Sequence, residues 1–387
     1  MIDARDYGVS AGATDNAGPI NVALQIGAAL QQEVRLPAGV LRLQSPVTLR
    51  NVSGGNRGGR LLSGGGAGVT ILRADFDGQH VLDIDGSSYT PGRFFSGATI
   101  EGLTVDGNRV GKTGQHGVRM NGYLFGLLAD VEVRDCAGDG IVSPVRADIS
   151  PNADFYESDP ILDRVRVTGC AGWGINGASA HGFNPVIQNA FIGANAAGGV
   201  AFSGVGLTIR NASLAGNGYA HTADNDGHGT NLRTSGPSRR TIIEQVEFDP
   251  DWGGVSTLDS HWDMLRACGA VVLPSRFNMR AGASGVIRPV NAVIVSRGTE
   301  HQASQAIRMI GPRFRVDTPG DVTLFNVANR GNVIGFTVDD MQLENGGAAT
   351  VTVFAGANEA QAFANNYTVK RHDGAYDLRG RAPVAVA

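Results

Sequence analysis

Side chains able to act on an acidic substrate crowd into two stretches of this chain. Residues 144–158, PVRADISPNADFYES, carry Arg146, Asp148, Asp154, Tyr156 and Glu157. Residues 219–228 carry Tyr219, His221, Asp224, Asp226 and His228. Short strand-like runs add Arg119, Trp173, Asn176, Asn231 and Arg233. His181 lies just beyond one such run, and Asp259 and His261 lie at the end of another. An elimination beside a carboxylate needs a cation to offset that carboxylate, a base for the carbon-bound proton and an acid for the leaving oxygen. Arg119, Arg146 or Arg233 suit the first role, His181 or His228 the second, and Tyr156 or Tyr219 the third. Asp226 and the other loop acids offer a different chemistry, hydrolysis between two carboxylates roughly 5–9.5 Å apart. Trp173 and Trp262 have flat faces suited to stacking on a ring. Asn176, Asn231, Asp259 and His261 supply the polar contacts that orient a ligand.

These residues need elements to hold them, and the chain from His116 to Leu258 is written as a repeat. One strand reads DVEV (130–133), RVRV (164–167), NAFI (189–192), NASL (211–214) and QVEF (245–248). A second reads HGVRMN (116–121), DGIVSP (139–144), WGINGA (173–178), GGVAFS (198–203), HGTNLR (228–233) and GGVSTL (253–258). Apolar residues alternate with period two over three to five positions, and a Gly or Asn corner follows. That is a strand with one face inward, and no 3.6-residue apolar stripe competes with it in this region. A turn takes roughly 22–25 residues where nothing is inserted, the mark of a stacked coil. Parallel strands joined by short corners wrap right-handedly. The fold predicted is all-β, a right-handed parallel β-helix. Cys136, Cys170, Asn195, Asn217 and Asp251 each lie five residues after an inward strand position, so they should pile into one corner column.

The second strands should turn Arg119, Val142, Asn176, Ala201, Asn231 and Ser256 outward. Parallel strands stack about 4.8 Å apart, close to the length of one sugar residue. An outward strand face between long loops is therefore a natural trough for an extended glycan, and loops on a rigid scaffold are where function concentrates.

Residues 1–50 read as a cap for the open end of the coil. Asp15 or Asn16 can cap a helix with Pro19 in its first turn, and Ile20, Ala23, Leu24 and Leu30 give it an apolar face. The divisions expected are 1–95 for the cap and first turns, 96–345 for the body, and 346–387 for a last strand and tail. Among 387 residues, 56 are glycine, as many tight corners require. The net charge of −4 gives no case for nucleic acid. No run of 18 apolar residues is long enough to span a membrane. The first residues show no secretion signal, so an extracellular or virion-associated protein is expected to be released without one. The three cysteines make no disulfide framework. No cofactor or metal site is implied. Calcium is the one alternative, since Asp224-Asn225-Asp226-Gly227 partly matches a calcium loop but lacks the distal Glu.

DYG near the start, the helix, LPAG (36–39) and a GxG before a strand together resemble the opening of the pectate-lyase-like superfamily. LTVDGNRVGKTGQHGVRMNGY (103–123) and NDGHGTNLRTSG (225–236) are most similar to the catalytic modules of mannuronan C5-epimerases. That superfamily also holds polysaccharide lyases, polygalacturonase-like hydrolases and phage tailspikes. The resemblance implies a parallel β-helix and a polysaccharide partner, with a homotrimer expected for a tailspike and a monomer otherwise. The chain departs from the epimerase signature Tyr-Gly-x-Asp-Pro-His, having Trp173-Gly174-Ile175-Asn176-Gly177-Ala178 at that place. The polygalacturonase-like set is incomplete too. Gly227-His228-Gly229 is present without its aspartate pair or Arg-x-Lys. The function expected is action on an acidic polysaccharide, by β-elimination first. The alternatives are a glycoside hydrolase and a non-catalytic glycan-binding β-helix.

Overall fold

The computed structural model is a right-handed parallel β-helix with one α-helix at its N-terminal end. It describes residues 1–50, 60–85, 95–121, 123–143, 157–177, 182–220, 229–234, 240–252, 255–256, 260–264, 270–281, 287–288, 291–295, 307–317, 321–327, 337–345, 351–356 and 372–373. The chain forms two compact units, Met1–Phe191 and Ile192–Ala387.

The helix, Ala17–Leu30, begins where Asp15 Oδ1 accepts the Ala17 N–H at 2.9 Å. Asn16, at the cap position itself, spends its amide elsewhere. Its Oδ1 accepts from Ser10 N–H and its Nδ2 donates to the Arg42 carbonyl. Ile20, Ala23 and Leu24 are buried as the pattern predicts, but Leu30 is exposed. It lies in the last turn, where the chain leaves the helix through Gln31 in a left-handed conformation.

In the first unit the second strands are Val47–Arg50, His80–Asp85, His116–Asn121, Ile141–Val142 and Trp173–Gly177, all parallel. Leu82, Val118, Ile141 and Ile175 form one inward row. The first strands pair across Ala98–Asp106, Leu127–Arg134, Ile161–Asp163 and Arg166–Thr168. A third short strand per turn, unforeseen in the sequence, joins Phe95–Ser96, Tyr123–Leu124, Glu157–Ser158 and Gly182–Phe183.

The bends are made by single residues held at positive φ. Phe125, Asp159 and Asn184 form one such column, and Asp130, Arg164 and Asn189 form another five residues further on. A left-handed non-glycine residue costs about 1–3 kcal/mol. Neighbouring turns offset part of that, since Arg164 grips Asp130 through Nε at 2.6 Å and Nη2 at 2.8 Å. Asn184 bonds Asp159 at 3.1 Å in the same way. Cys136 and Cys170 follow left-handed Asp135 and Gly169. Both are fully enclosed and caught against carbonyls two residues back. The hydrogen bond between the two thiols, and then burial, hold Cys136 well above the ordinary thiol range. Glycine is required where the second strand passes this corner. A Cβ on Gly140 would come within 2.4 Å of Val167 Cγ1 and 3.2 Å of Cys170 Sγ.

In the second unit the second strands are Gly198–Phe202, Thr230–Thr234, Ser260–Met264, Asn291–Val295, Val322–Val327 and Val351–Gly356. GGVSTL is not one of them. Val255–Ser256 instead folds back antiparallel on Asp251–Trp252. The strand of that turn is Ser260–Met264, so Trp262 pairs in register with Leu232 and is wholly buried, its indole N–H on Thr234 Oγ1. The first-strand side builds a core of stacked rings, Phe248 on Phe277 at 4.7 Å and Phe277 on Phe314 at 5.1 Å. Phe325 meets Phe314 edge-on.

The polar corner also appears in this unit, with a different membership from the one predicted. Asn195 and Asn217 stack as expected, Nδ2 to Oδ1 at 2.9 Å. The next rung is Asn231, which accepts from Asn217 Nδ2 at 2.8 Å, and His261 follows. Asn231 thus takes the place predicted for Asp251, whose N–H bonds Asp249 Oδ1 at 3.0 Å.

Candidate functional site

Four second strands of the first unit present an outward surface in strict register. His80 pairs with His116, and Asp83 with Arg119. Arg119 pairs with Val142, which pairs with Asn176. Asp139 and Trp173 extend the histidine row by the same register. The rungs are about 4.8 Å apart.

Each position in this surface is fixed by its neighbours. Arg119 grips Asp83 in a two-pronged pair, Nε to Oδ1 at 2.7 Å and Nη2 to Oδ2 at 2.6 Å. Both bonds use one edge of the guanidinium, and Nη1 is not spent on Asp83. The hydrogen bonds to Asp83 raise the Arg119 pKa, so its charge is permanent. Asp139 is the hub. Its Oδ1 accepts the Trp173 N–H at 2.7 Å and its Oδ2 accepts Asn176 Nδ2 at 3.0 Å. Asp139 N–H donates to His116 Nδ1 at 2.9 Å. Neutral His116 therefore carries its proton on Nε2. His80 stacks on His116 with ring centres 5.3 Å apart. Burial first, then the Arg119 charge and His116, push His80 down to about 4, so it is neutral near pH 7.

Two polar atoms here are enclosed and have no hydrogen-bond partner among the described residues: His80 Nδ1 and Asn176 Oδ1. Such atoms are costly unless something completes them. Trp173 and Asn176 are both half-buried, so part of each is reachable.

The sequence-predicted residues divide three ways. Arg119, Trp173 and Asn176 come together on this surface. Asn231, Arg233 and His261 belong to the second unit, where the structure corrects the expectation that they face a ligand. Asn231 and His261 are completely enclosed in the corner ladder. His261 packs against the edges of the stacked Phe248 and Phe277 pair and donates Nε2–H to the Asn278 carbonyl at 2.7 Å. Arg233 is almost enclosed, 3.6 Å from fully buried Asp263. Arg146, Tyr156, His181, Asp226, His228 and Asp259 lie outside the described residues. His80, Asp83, His116 and Asp139 were missed. Aligning HVLDID, HGVRMN, DGIVSP and WGINGA on their inward residues would have found them, since that alignment stacks His80, His116, Asp139 and Trp173. Among the described residues no group of three or more His, Cys, Asp or Glu side chains is arranged to hold a metal. No helix among them is long and apolar enough to cross a membrane.

The sequence matches no family model and no curated protein. Solved structures do match. The A-module of the Azotobacter vinelandii mannuronan C-5 epimerase AlgE6 superposes with a TM-score of 0.65 at 14% identity, over 99% of this chain and 97% of that one. The Geobacillus virus E2 ORF18 protein gives 0.55 at 14% identity, over 92% of this chain and 61% of that one. The Dettilon tailspike protein gp208 gives 0.58 at 10% identity, over 96% and 66%. This chain thus spans under two thirds of the length of the latter two proteins. At these identities the likeness is one of fold. The class defined is the right-handed parallel β-helix.

Proposed function

We propose that this protein acts on an acidic polysaccharide, which lies along the second-strand surface of its first unit and is cleaved there by β-elimination. The observation that carries the reading is the register of His116, Arg119, Trp173 and Asn176 on one outward surface at a spacing that suits successive sugars. Arg119 offsets the uronate carboxylate through the donors left by Asp83. Asn176 and His116 Nε2–H orient hydroxyls, and Trp173 offers its face to a ring. The acid and base come from the loops of the same unit, as the sequence suggested. His181 takes the C5 proton, the C4–O bond breaks, a C4=C5 double bond forms, and Tyr156 returns a proton to the leaving oxygen. Arg146 adds a second cation. The fold supports the substrate class, since one structural relative is a mannuronan C-5 epimerase module and another a tailspike. An extracellular or virion-associated setting, as a monomer or homotrimer, accords with those relatives.

Digestion of a panel of uronate polymers tests this. The expected result is growth of the ultraviolet absorbance of the conjugated C4=C5 product, abolished in Arg119→Ala and His181→Ala. New reducing ends without that absorbance would replace elimination by hydrolysis between loop carboxylates. Binding without either signal would leave a glycan-binding β-helix.

A further inference from the structure

Among the described residues most arginines on the outer strand surfaces have an acid or amide partner on a neighbouring turn. Arg119 has Asp83, Arg164 has Asp130, Arg134 has Asp106 and Arg308 has Asp339. Arg42 and Arg73 stack in register, yet Asp75 holds the first and Asn108 the second. The first-strand surface of the second unit breaks this rule. Glu247, Arg276, Arg313 and Gln342 follow one another in register on successive turns. Two guanidinium groups are therefore neighbours, and the one carboxylate of the row, Glu247, stands beside the first of them only. Glu247 is 3.9 Å from Arg276 and already accepts from Asn278 Nδ2 at 3.0 Å. Among the described residues Arg313 has no carboxylate within ion-pair distance. Like charges side by side in a sheet destabilise it, so among the described residues this row is short of one anion.

Beside the pair is an open hollow of about 340 Å³, bounded by Gln245, Glu247, Pro274, Ser275, Arg276 and Arg313. That is the size of the smaller ligand sites. Its floor is rigid. Ser275 Oγ donates to the Leu273 carbonyl and accepts the Val246 N–H, and the Ser275 carbonyl accepts the Arg313 N–H. Polar Gln245 and apolar Pro274 flank the cations, which suits a ligand with hydroxyls and a ring face as well as a charge.

We propose that this hollow is a binding subsite for the carboxylate of an acidic sugar, on a surface separate from the one to which we assign cleavage. A planar carboxylate takes two guanidinium donors at once, and one hexuronate residue fits the volume. The site would hold a glycan segment that is not being cut. Of the function proposed above, it relies only on the acidic character of the glycan.

The test is a titration of the intact protein, following the Nε–Hε resonances of its arginines by NMR. Arg276→Gln and Arg313→Gln assign the two signals; both residues are exposed, and unchanged melting temperatures confirm folding. D-galacturonate should shift both signals saturably, and D-galactose should not. The double variant should weaken galacturonate binding at least tenfold by calorimetry and leave turnover of any cleaved polymer unchanged. No saturable shift, or an equal response to galactose or inorganic phosphate, would overturn the proposal. The two readings fail separately. An inactive digestion panel leaves the titration standing, and a silent titration leaves cleavage untouched.

Discussion

Asn231 Nδ2 donates to His261 Nδ1 across 3.0 Å, and His261 Nε2 donates to the Asn278 carbonyl across 2.7 Å. The two bonds together specify a neutral imidazole with its proton on Nε2. Burial supplies the energetic reason and pushes His261 from 6.5 down to about 4. The unfolded chain therefore takes up a proton between these values and the folded chain does not. This contribution to stability is complete above pH 6.5 and is lost as pH falls toward 4, by up to about 3 kcal/mol. Urea midpoints at pH 7 and pH 5 measure it. His261→Gln, which keeps an acceptor for Asn231, should flatten the difference; an unchanged slope would count against this origin.

Asn217 is bonded on both sides within the ladder. It accepts from Asn195 and donates to the Ile192 carbonyl and to Asn231. Asn217→Ala leaves several enclosed polar groups unmade, each worth roughly 1–3 kcal/mol. A loss of at least about 3 kcal/mol is expected in chemical denaturation. A loss under 1 kcal/mol would mean that water replaces the amide.

Phe277 lies in the middle of three stacked rings. Phe277→Ala should cost about 3–5 kcal/mol, and Phe277→Leu much less because most of the volume stays. Equal losses would show that ring geometry, not volume, dominates.

Arg119 serves both fold and proposed function, and the two can be separated. Arg119→Ala leaves Asp83 almost buried without its cation, which should cost about 3 kcal/mol. Replacing both by leucine should recover stability, since a matched apolar pair avoids the uncompensated charge. It should not recover glycan binding, measured by affinity electrophoresis in polyuronate gels. Binding retained in the leucine pair would remove Arg119 from the site.

Much of the coil was legible because strand alternation is local. DVEV, HGVRMN and WGING all fall in strands, and Cys136 and Cys170 take the corners their spacing implied. Legibility ended where alternation breaks. At Gly117 and Val118 two successive residues face the interior, the first squeezed against Val133 and Cys136. Asn231 occupies the position equivalent to that glycine, in register beside Gly199, so it goes inward where a strict two-residue period sends it out. The same period, carried past a long insertion, matched Thr230 to Val200, whereas Val200 pairs with Leu232. Counting then took the small hairpin at Val255–Ser256 for a coil strand and sent Trp262 to the surface. The His80, His116 and Asp139 row was missed for another reason. HVLDID lies upstream of the stretch from which the repeat was read, so its histidine was never set above that of HGVRMN, and Asp139 counted only as the start of a strand.

The left-handed residues have an implication for how such a molecule changes over time. Asp130, Arg164 and Asn189 steer the chain at the same bend although the stretches between them differ in length. Steering is thus decoupled from spacing. A whole lap can be gained or dropped without disturbing those on either side, while loss of one strand residue would reverse the later side chains of that strand. Evolution can lengthen or shorten the reading surface by one sugar at a time, and its grammar resists smaller edits.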